Sequence, residues 1–131
     1  MKFSTHKVFL VIFSIFMAVS ASATTYVLNP DGTGDFATIQ DAVYASQNGD
    51  IIELADGTYT PATMGNNDYG IYFGGKAITL CSQSGNPENC ILDVQGQENE
   101  VNERAFLFSA GEDRESIVRD LTITHGSADA C

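Results

Sequence analysis

The chain has 131 residues, with 17 acidic side chains against 6 basic ones and a formal net charge of −11. That length allows one domain or less, and an acidic surface repels phosphate backbones, which excludes nucleic acid as a partner. The same charge suits solubility outside the cell and tolerance of divalent cations.

Residues 1–23 read as a secretory leader. Lys2 and Lys7 form a basic start, and residues 8–19 are apolar apart from Ser14. Ser20-Ala21-Ser22-Ala23 then supplies small residues in an Ala-x-Ala arrangement, so cutting is expected after Ala23. A membrane anchor needs roughly 20 apolar residues, and this run is much shorter, so no membrane span is expected once it is removed. Its removal takes away Lys2 and Lys7 and moves the net charge from −11 to −13. The protein is expected to be secreted or held at the cell surface.

The mature chain opens with a strand and a capping helix over residues 24–49. Tyr26-Val27-Leu28 reads as a strand, and Asn29-Pro30-Asp31-Gly32-Thr33-Gly34-Asp35 is a cluster of turn formers. A helix follows: Thr38 is a good N-cap, Asp41 holds the capping-box position, and Asn48-Gly49 ends it. Ile39, Ala42, Val43 and Ser46 share one face at helical spacing. Such a short one-sided helix suits the covering of an apolar surface.

From Asp50 the chain changes to brief apolar runs between Gly- and Asn-rich turns. The runs are Ile51-Ile52-Glu53-Leu54, Ala77-Ile78-Thr79-Leu80, Ile91-Leu92-Asp93-Val94, Ala105-Phe106-Leu107-Phe108 and residues 117–124. Each is too short for an independent helix, and most place a polar residue between apolar ones, the period of a half-buried strand. Ile52 and Ile78 lie 26 positions apart and Ile78 and Phe106 lie 28 apart; Leu54, Leu80 and Phe108 repeat both intervals, and Leu92 and Val118 again lie 26 apart. Recurring strands at that spacing predict a solenoid, with Ile52, Ile78 and Phe106 stacked in one inward ladder. The expected fold class is all-β: a right-handed parallel β-helix whose first coils occupy residues 50–131, closed at its start by the helix. An antiparallel sandwich would want hairpin turns that the chain lacks. The stop at Ala128-Asp129-Ala130-Cys131 falls mid-pattern, so the natural protein is expected to continue.

Asp31-Gly32-Thr33-Gly34-Asp35-Phe36-Ala37-Thr38-Ile39-Gln40-Asp41-Ala42-Val43, Gly49-Asp50-Ile51-Ile52-Glu53-Leu54 and Gly57-Thr58-Tyr59 together resemble the opening of pectin lyase-like right-handed parallel β-helix repeat proteins. Gly75-Lys76-Ala77-Ile78-Thr79-Leu80, Cys90-Ile91-Leu92-Asp93 and Leu121-Thr122-Ile123-Thr124-His125-Gly126 look like the rungs that follow. The opening also resembles pectinesterases, but no segment matches their catalytic motifs, and Gly57-Thr58-Tyr59-Thr60-Pro61 lacks the glutamate common after the tyrosine. The resemblance implies a fold and carries no catalytic residue over, because one fold hosts many activities.

The candidate chemistry is thin. Cys81 and Cys90 bracket a polar loop over residues 82–89, and a disulfide between them is expected, with two independent thiols as the alternative. Cys131 has no evident mate, and neither spacing nor a nearby His supports zinc. Asp31 and Asp35 flank Gly32-Thr33-Gly34 and offer oxygen ligands to calcium, but turn formation and helix-dipole compensation account for both. Glu98, Glu100, Glu103, Glu112, Asp113 and Glu115 fall in expected loops, where solvation explains them before acid–base work does. Arg104, Arg114 and Arg119 suit local salt bridges. His125 has no visible nucleophile partner. Tyr69 and Tyr72, within Tyr69-Gly70-Ile71-Tyr72-Phe73, are the candidates for stacking on sugar rings, ahead of Tyr44 and Tyr59, with packing of the loop onto the solenoid as the favoured role. No catalytic residue, metal ligand or cofactor is assigned. The expected function is a non-catalytic module binding polysaccharide or a cell surface. The alternative is the first part of a pectate lyase- or pectinesterase-type enzyme whose active coils lie elsewhere.

Overall fold

The computed structural model describes residues 22–65, 70–96 and 104–127. The leader up to Ala21, Tyr69, Glu98, Glu100, Glu103 and Cys131 lie outside the described residues. The elements run β1 (Thr25–Leu28), α1 (Ile39–Ala45), β2 (Ile51–Leu54), β3 (Gly57–Tyr59), α2 (Pro61–Met64), β4 (Ile71–Tyr72), β5 (Thr79–Ser82), β6 (Cys90–Asp93), β7 (Phe106–Leu107), β8 (Ile117–Arg119) and β9 (Thr122–Thr124).

Every strand pair is parallel. The strands make three sheets with the orders β1-β2-β5-β8, β3-β6-β9 and β4-β7. The expected all-β solenoid is corrected by this arrangement: the three sheets are small, separate and open, none closes on itself, and two helices stand beside them. The physical reason lies at the strand ends. Gln95, Asp120 and His125, which follow β6, β8 and β9, take left-handed φ values of 55°, 60° and 53°. Each such residue turns the chain out of the extended region and ends the ladder, so a strand of one sheet does not run on into the next.

The expected ladders are corrected as well. Parallel register sets Tyr26 beside Ile52, Ile52 beside Leu80, and Leu80 beside Val118. Leu54 lies beside Ser82, Leu92 beside Ile123, and Phe106 beside Ile71 in the two-stranded sheet. The true neighbour of Ile52 is thus two residues beyond Ile78, and a slip of two leaves each side chain on its original face. Ile78 accordingly remains buried. From Leu80 to Val118 the interval grows to 38 positions, which carries Phe106 and Phe108 out of the ladder altogether. Phe108 ends 48% exposed, stacked at 5.9 Å on Phe106 and edge-on at 5.1 Å to Phe73.

One apolar core joins the sheets to the helices. It contains Leu28, Ile39, Ile52, Leu54, Met64, Ile71, Phe73, Leu80 and Leu92, all essentially without exposed surface. Each such side chain contributes about 1.5–3 kcal/mol through burial before ordering costs. Helix α1 forms where its residue types place it: the Thr38 hydroxyl accepts from the Asp41 N–H at 3.1 Å, and Ile39, Ala42 and Val43 enter the core. It ends at Ser46, whose hydroxyl donates to the Ala42 carbonyl at 2.7 Å, ahead of the expected Asn48-Gly49 stop. Helix α2 is a single turn with Pro61 in its first position and Gly65 closing it at φ 73°. A Cβ on Gly65 would stand 2.7 Å from Thr38 Oγ1, so glycine lets the end of α2 meet the start of α1.

Among the described residues, no helix is long and apolar enough to cross a membrane.

Candidate functional site

The meeting of α1, α2 and the β4–β7 sheet leaves a surface pocket of about 330 Å³. Gln40, Tyr44, Tyr72, Leu107 and Ser109 line it, with Gly65 and Gly70 at its backbone. Gln40 and Tyr44 are one helical turn apart on α1, which brings both to the same side. Tyr72 and Leu107 are register partners in the two-stranded sheet.

Gln40 organises this pocket. Its side chain is only 6% exposed, and it sits among the buried residues of an otherwise apolar helix face. A buried amide demands partners for both its donor and its acceptor. Tyr72 supplies both from its backbone: Gln40 Nε2 donates to the Tyr72 carbonyl at 3.0 Å, and the Tyr72 N–H donates to Gln40 Oε1 at 2.8 Å. The side chain therefore pairs with β4 as a neighbouring strand would, and fixes the backbone from which the Tyr72 ring projects. Gly74 passes close to that ring, since a Cβ there would lie 3.5 Å from Tyr72 Cε1. Tyr44, 62% exposed, also lines the pocket. Among the described residues, no carboxylate, imidazole or thiol lines the pocket. It offers aromatic rings, hydroxyls and an amide fixed by two backbone hydrogen bonds.

The other sequence candidates are placed elsewhere. Asp31 Oδ1 accepts from the Thr33 hydroxyl at 2.6 Å and from the Thr33 N–H at 3.0 Å, and these bonds, the hydroxyl first, hold its carboxyl below the ordinary range. Asp35 Oδ2 accepts from the Val27 N–H at 2.7 Å. Both aspartates thus close the turn after β1. Among the described residues, no group of three or more His, Cys, Asp or Glu stands together as a metal site would require.

Cys81 and Cys90 are free thiols in this structure, so the expected bridge is not made. Cys81 alternates with Leu80 and Ser82 on β5 and shares a row with Glu53 and Arg119, whereas Cys90 belongs to the apolar core. The two side chains face different surroundings. Burial pushes the Cys90 thiol up to about 11 and raises that of Cys81 as well, so neither is poised as a nucleophile.

His125 Nδ1 lies 2.8 Å from Asp93 Oδ1, and this hydrogen bond holds the Asp93 carboxyl below its ordinary range. The pair is exposed at the end of β9, and among the described residues no serine or cysteine hydrogen-bonds to the imidazole. Glu112 accepts from the Gly75 N–H at 3.0 Å and the Ala110 N–H at 2.9 Å, and Asp113 accepts from the Glu115 N–H at 2.8 Å. Arg119 pairs with the adjacent Asp120. These loop charges serve the loops that carry them.

Tyr72 and Tyr44 are the sequence candidates that the pocket takes up, while Tyr59 is turned inward, its hydroxyl donating to the Leu28 and Ala55 carbonyls at 2.8 and 3.0 Å. Gln40 was missed as a site residue. The available signal was a long amide among Ile39, Ala42 and Val43, where an apolar side chain would be expected.

Comparison with known proteins gives no match: no family model, no curated protein and no solved structure resembles this chain closely enough to identify it.

Proposed function

We propose that the chain is a secreted, non-catalytic module that binds neutral carbohydrate in the pocket between α1 and β4. The observation that carries this reading is the Gln40–Tyr72 pairing, which fixes the backbone that bears one aromatic side chain of a pocket also lined by the exposed Tyr44. Sugar rings bind by laying their C–H faces on aromatic side chains and their hydroxyls on fixed polar groups. A pocket near 330 Å³ lies at the small end of ligand sites, which suits one or two sugar rings. The surplus of acidic groups disfavours polyuronates and favours uncharged glycans. The leader-like start, with its basic residues, apolar run and small-residue cleavage site, supports export.

The test is a titration of the protein with neutral β-glucan and mannan oligosaccharides and with oligogalacturonate, followed by NMR. Binding of at least one neutral series is expected, with oligogalacturonate weaker. Tyr72→Ala and Tyr44→Ala should each weaken it about three- to tenfold, equivalent to about 0.5–1.5 kcal/mol for a lost ring contact. Absence of binding to every neutral series, or unchanged affinity in the double variant, would overturn the reading. No release of product from polygalacturonate or methylated pectin is expected, and measurable turnover would count equally against it.

A further inference from the structure

Asp50 is a carboxylate buried without a counter-ion in contact. It is 6% exposed, and it takes part in neither of the ion pairs found among the described residues. Instead it accepts two backbone amides: the Gln47 N–H on Oδ2 at 2.8 Å and the Thr24 N–H on Oδ1 at 2.8 Å. Those bonds, Gln47 first, hold its carboxyl below the ordinary range, with the charge of Lys76 adding to them. A little-exposed carboxylate with no cation in contact gains from a positive charge placed beside it.

Thr24 is also the residue expected to become the first of the mature chain, because the Ala-x-Ala pattern ends at Ala23. Its position is set independently of its own N–H, since the Ile51 N–H donates to the Thr24 carbonyl at 2.9 Å and β1 pairs with β2 from Thr25 onward. Ser22, Ala23 and Thr24 are exposed, so the bond to be cut stands in solvent. Thr24 and Asp50 line one cavity of about 270 Å³ together with Tyr26, Ala45, Gln47 and Asn48, and with Ser22, which leaves with the leader.

We propose that Asp50 is the receptor for the mature N-terminus, forming an ion pair with the α-ammonium of Thr24 once the leader is cut. The inference rests on the leader reading, the export half of the proposed function. Cleavage is a hydrolysis by a leader-cutting endopeptidase. Water adds to the Ala23 carbonyl carbon, the C–N bond to Thr24 breaks, the leader leaves as a carboxylate, and its two protons complete the Thr24 ammonium. The atom that donates to Asp50 as an amide then donates as a cation, in the same place and with no rearrangement of β1. Among the described residues, Lys76, which precedes β5, is the charged side chain that Asp50 feels, and Tyr26 of β1 is the titratable group lining the same cavity.

The experiment compares the chain beginning at Thr24 with a free amine and the same chain Nα-acetylated, both retaining every residue described from Thr24 onward. The free amine should raise Tm at pH 7 by about 4–8 °C over the acetylated chain. The ammonium's pKa is raised by the pairing, so its contribution is fully present below about 8 and is lost as pH rises through the raised value. The difference should also vanish in Asp50→Asn. Equal Tm values at pH 7 would overturn the proposal. Should Asp50→Asn fail to fold, the amine's own titration by NMR decides: a pKa above about 8 supports the pair, and an ordinary value of about 7.7–8.0 overturns it. N-terminal sequencing of the exported protein tests the leader reading separately. A first residue other than Thr24 would remove that premise, whatever the acetylation result.

Discussion

Tyr59 shows how a single side chain can tie two layers of this molecule together. It is 1% exposed, and its hydroxyl bridges the carbonyls of Leu28, at the end of β1, and Ala55, just after β2. Burial pushes that hydroxyl far above its ordinary ionisation range, so it remains a donor at any pH the fold survives. Tyr59→Phe keeps the ring and removes only the donor, leaving the hydroxyl's share of two buried carbonyls unmet. The expected cost is about 1–3 kcal/mol, read as a lower urea midpoint with an unchanged slope. An unchanged midpoint would mean that water replaces the hydroxyl there. Sequence reading left Tyr59 as a weaker stacking candidate with packing favoured, because a tyrosine after Gly57-Thr58 carries no local sign of which way it turns. By contrast, Asp31 and Asp35 were legible as turn residues, since their partners Thr33 and Val27 lie within a few positions.

Helix α1 illustrates the same divide between local and distant causes. Its start was legible because Thr38 and Asp41 satisfy one another across three positions, and its buried face was legible from spacing alone. Its end was not. The last turn has no basic residue of its own, and the charge that completes it comes from Lys76, whose Nζ donates to the carbonyls of Val43 at 2.7 Å and Tyr44 at 2.8 Å. A cation on the final carbonyls complements the helix dipole and satisfies acceptors that the helix leaves open. Lys76→Met retains the aliphatic stem and should destabilise the fold by about 1–2 kcal/mol, with faster amide exchange concentrated in α1. Exchange that rises uniformly across the chain, or not at all, would show that the ammonium does not hold the helix end. The strands repeat the lesson. Which residues of β2 and β5 face inward was readable because alternation is a local property, whereas Phe108 was not, and register depends on turns such as that at Asp120 and on the longer interval before Val118. The predicted Ile52–Ile78 pairing therefore failed by two residues while the burial of Ile78 held.

At the scale of the whole molecule, the acidic surplus and the bound carboxylates oppose one another as pH falls. With a net charge of −11, the folded chain repels itself at neutral pH, and partial protonation relieves that strain. Asp31, Asp50, Asp93 and Glu112, however, are all held below their ordinary values by hydrogen bonds made only in the folded state. A carboxyl whose folded pKa is depressed adds stability that is fully present above its unfolded value. That stability is lost as pH falls through the folded value, because the unfolded chain then binds more protons. The ordinary values are 3.8 for aspartate and 4.5 for glutamate, so the loss should begin just below them. The urea midpoint is accordingly expected to rise slightly from pH 7 toward about 5 as repulsion eases, then fall steeply below about 4. Added salt should flatten the first limb by screening the repulsion while leaving the acid limb in place, since the bonds behind it are direct contacts. Asp50→Asn should make the acid limb shallower because one proton-linked carboxylate, with its two backbone bonds, is gone. A midpoint that declines smoothly from pH 7 to 3, with no plateau and no response to salt, would mean that neither the surface charge nor these four carboxylates governs the stability of the fold.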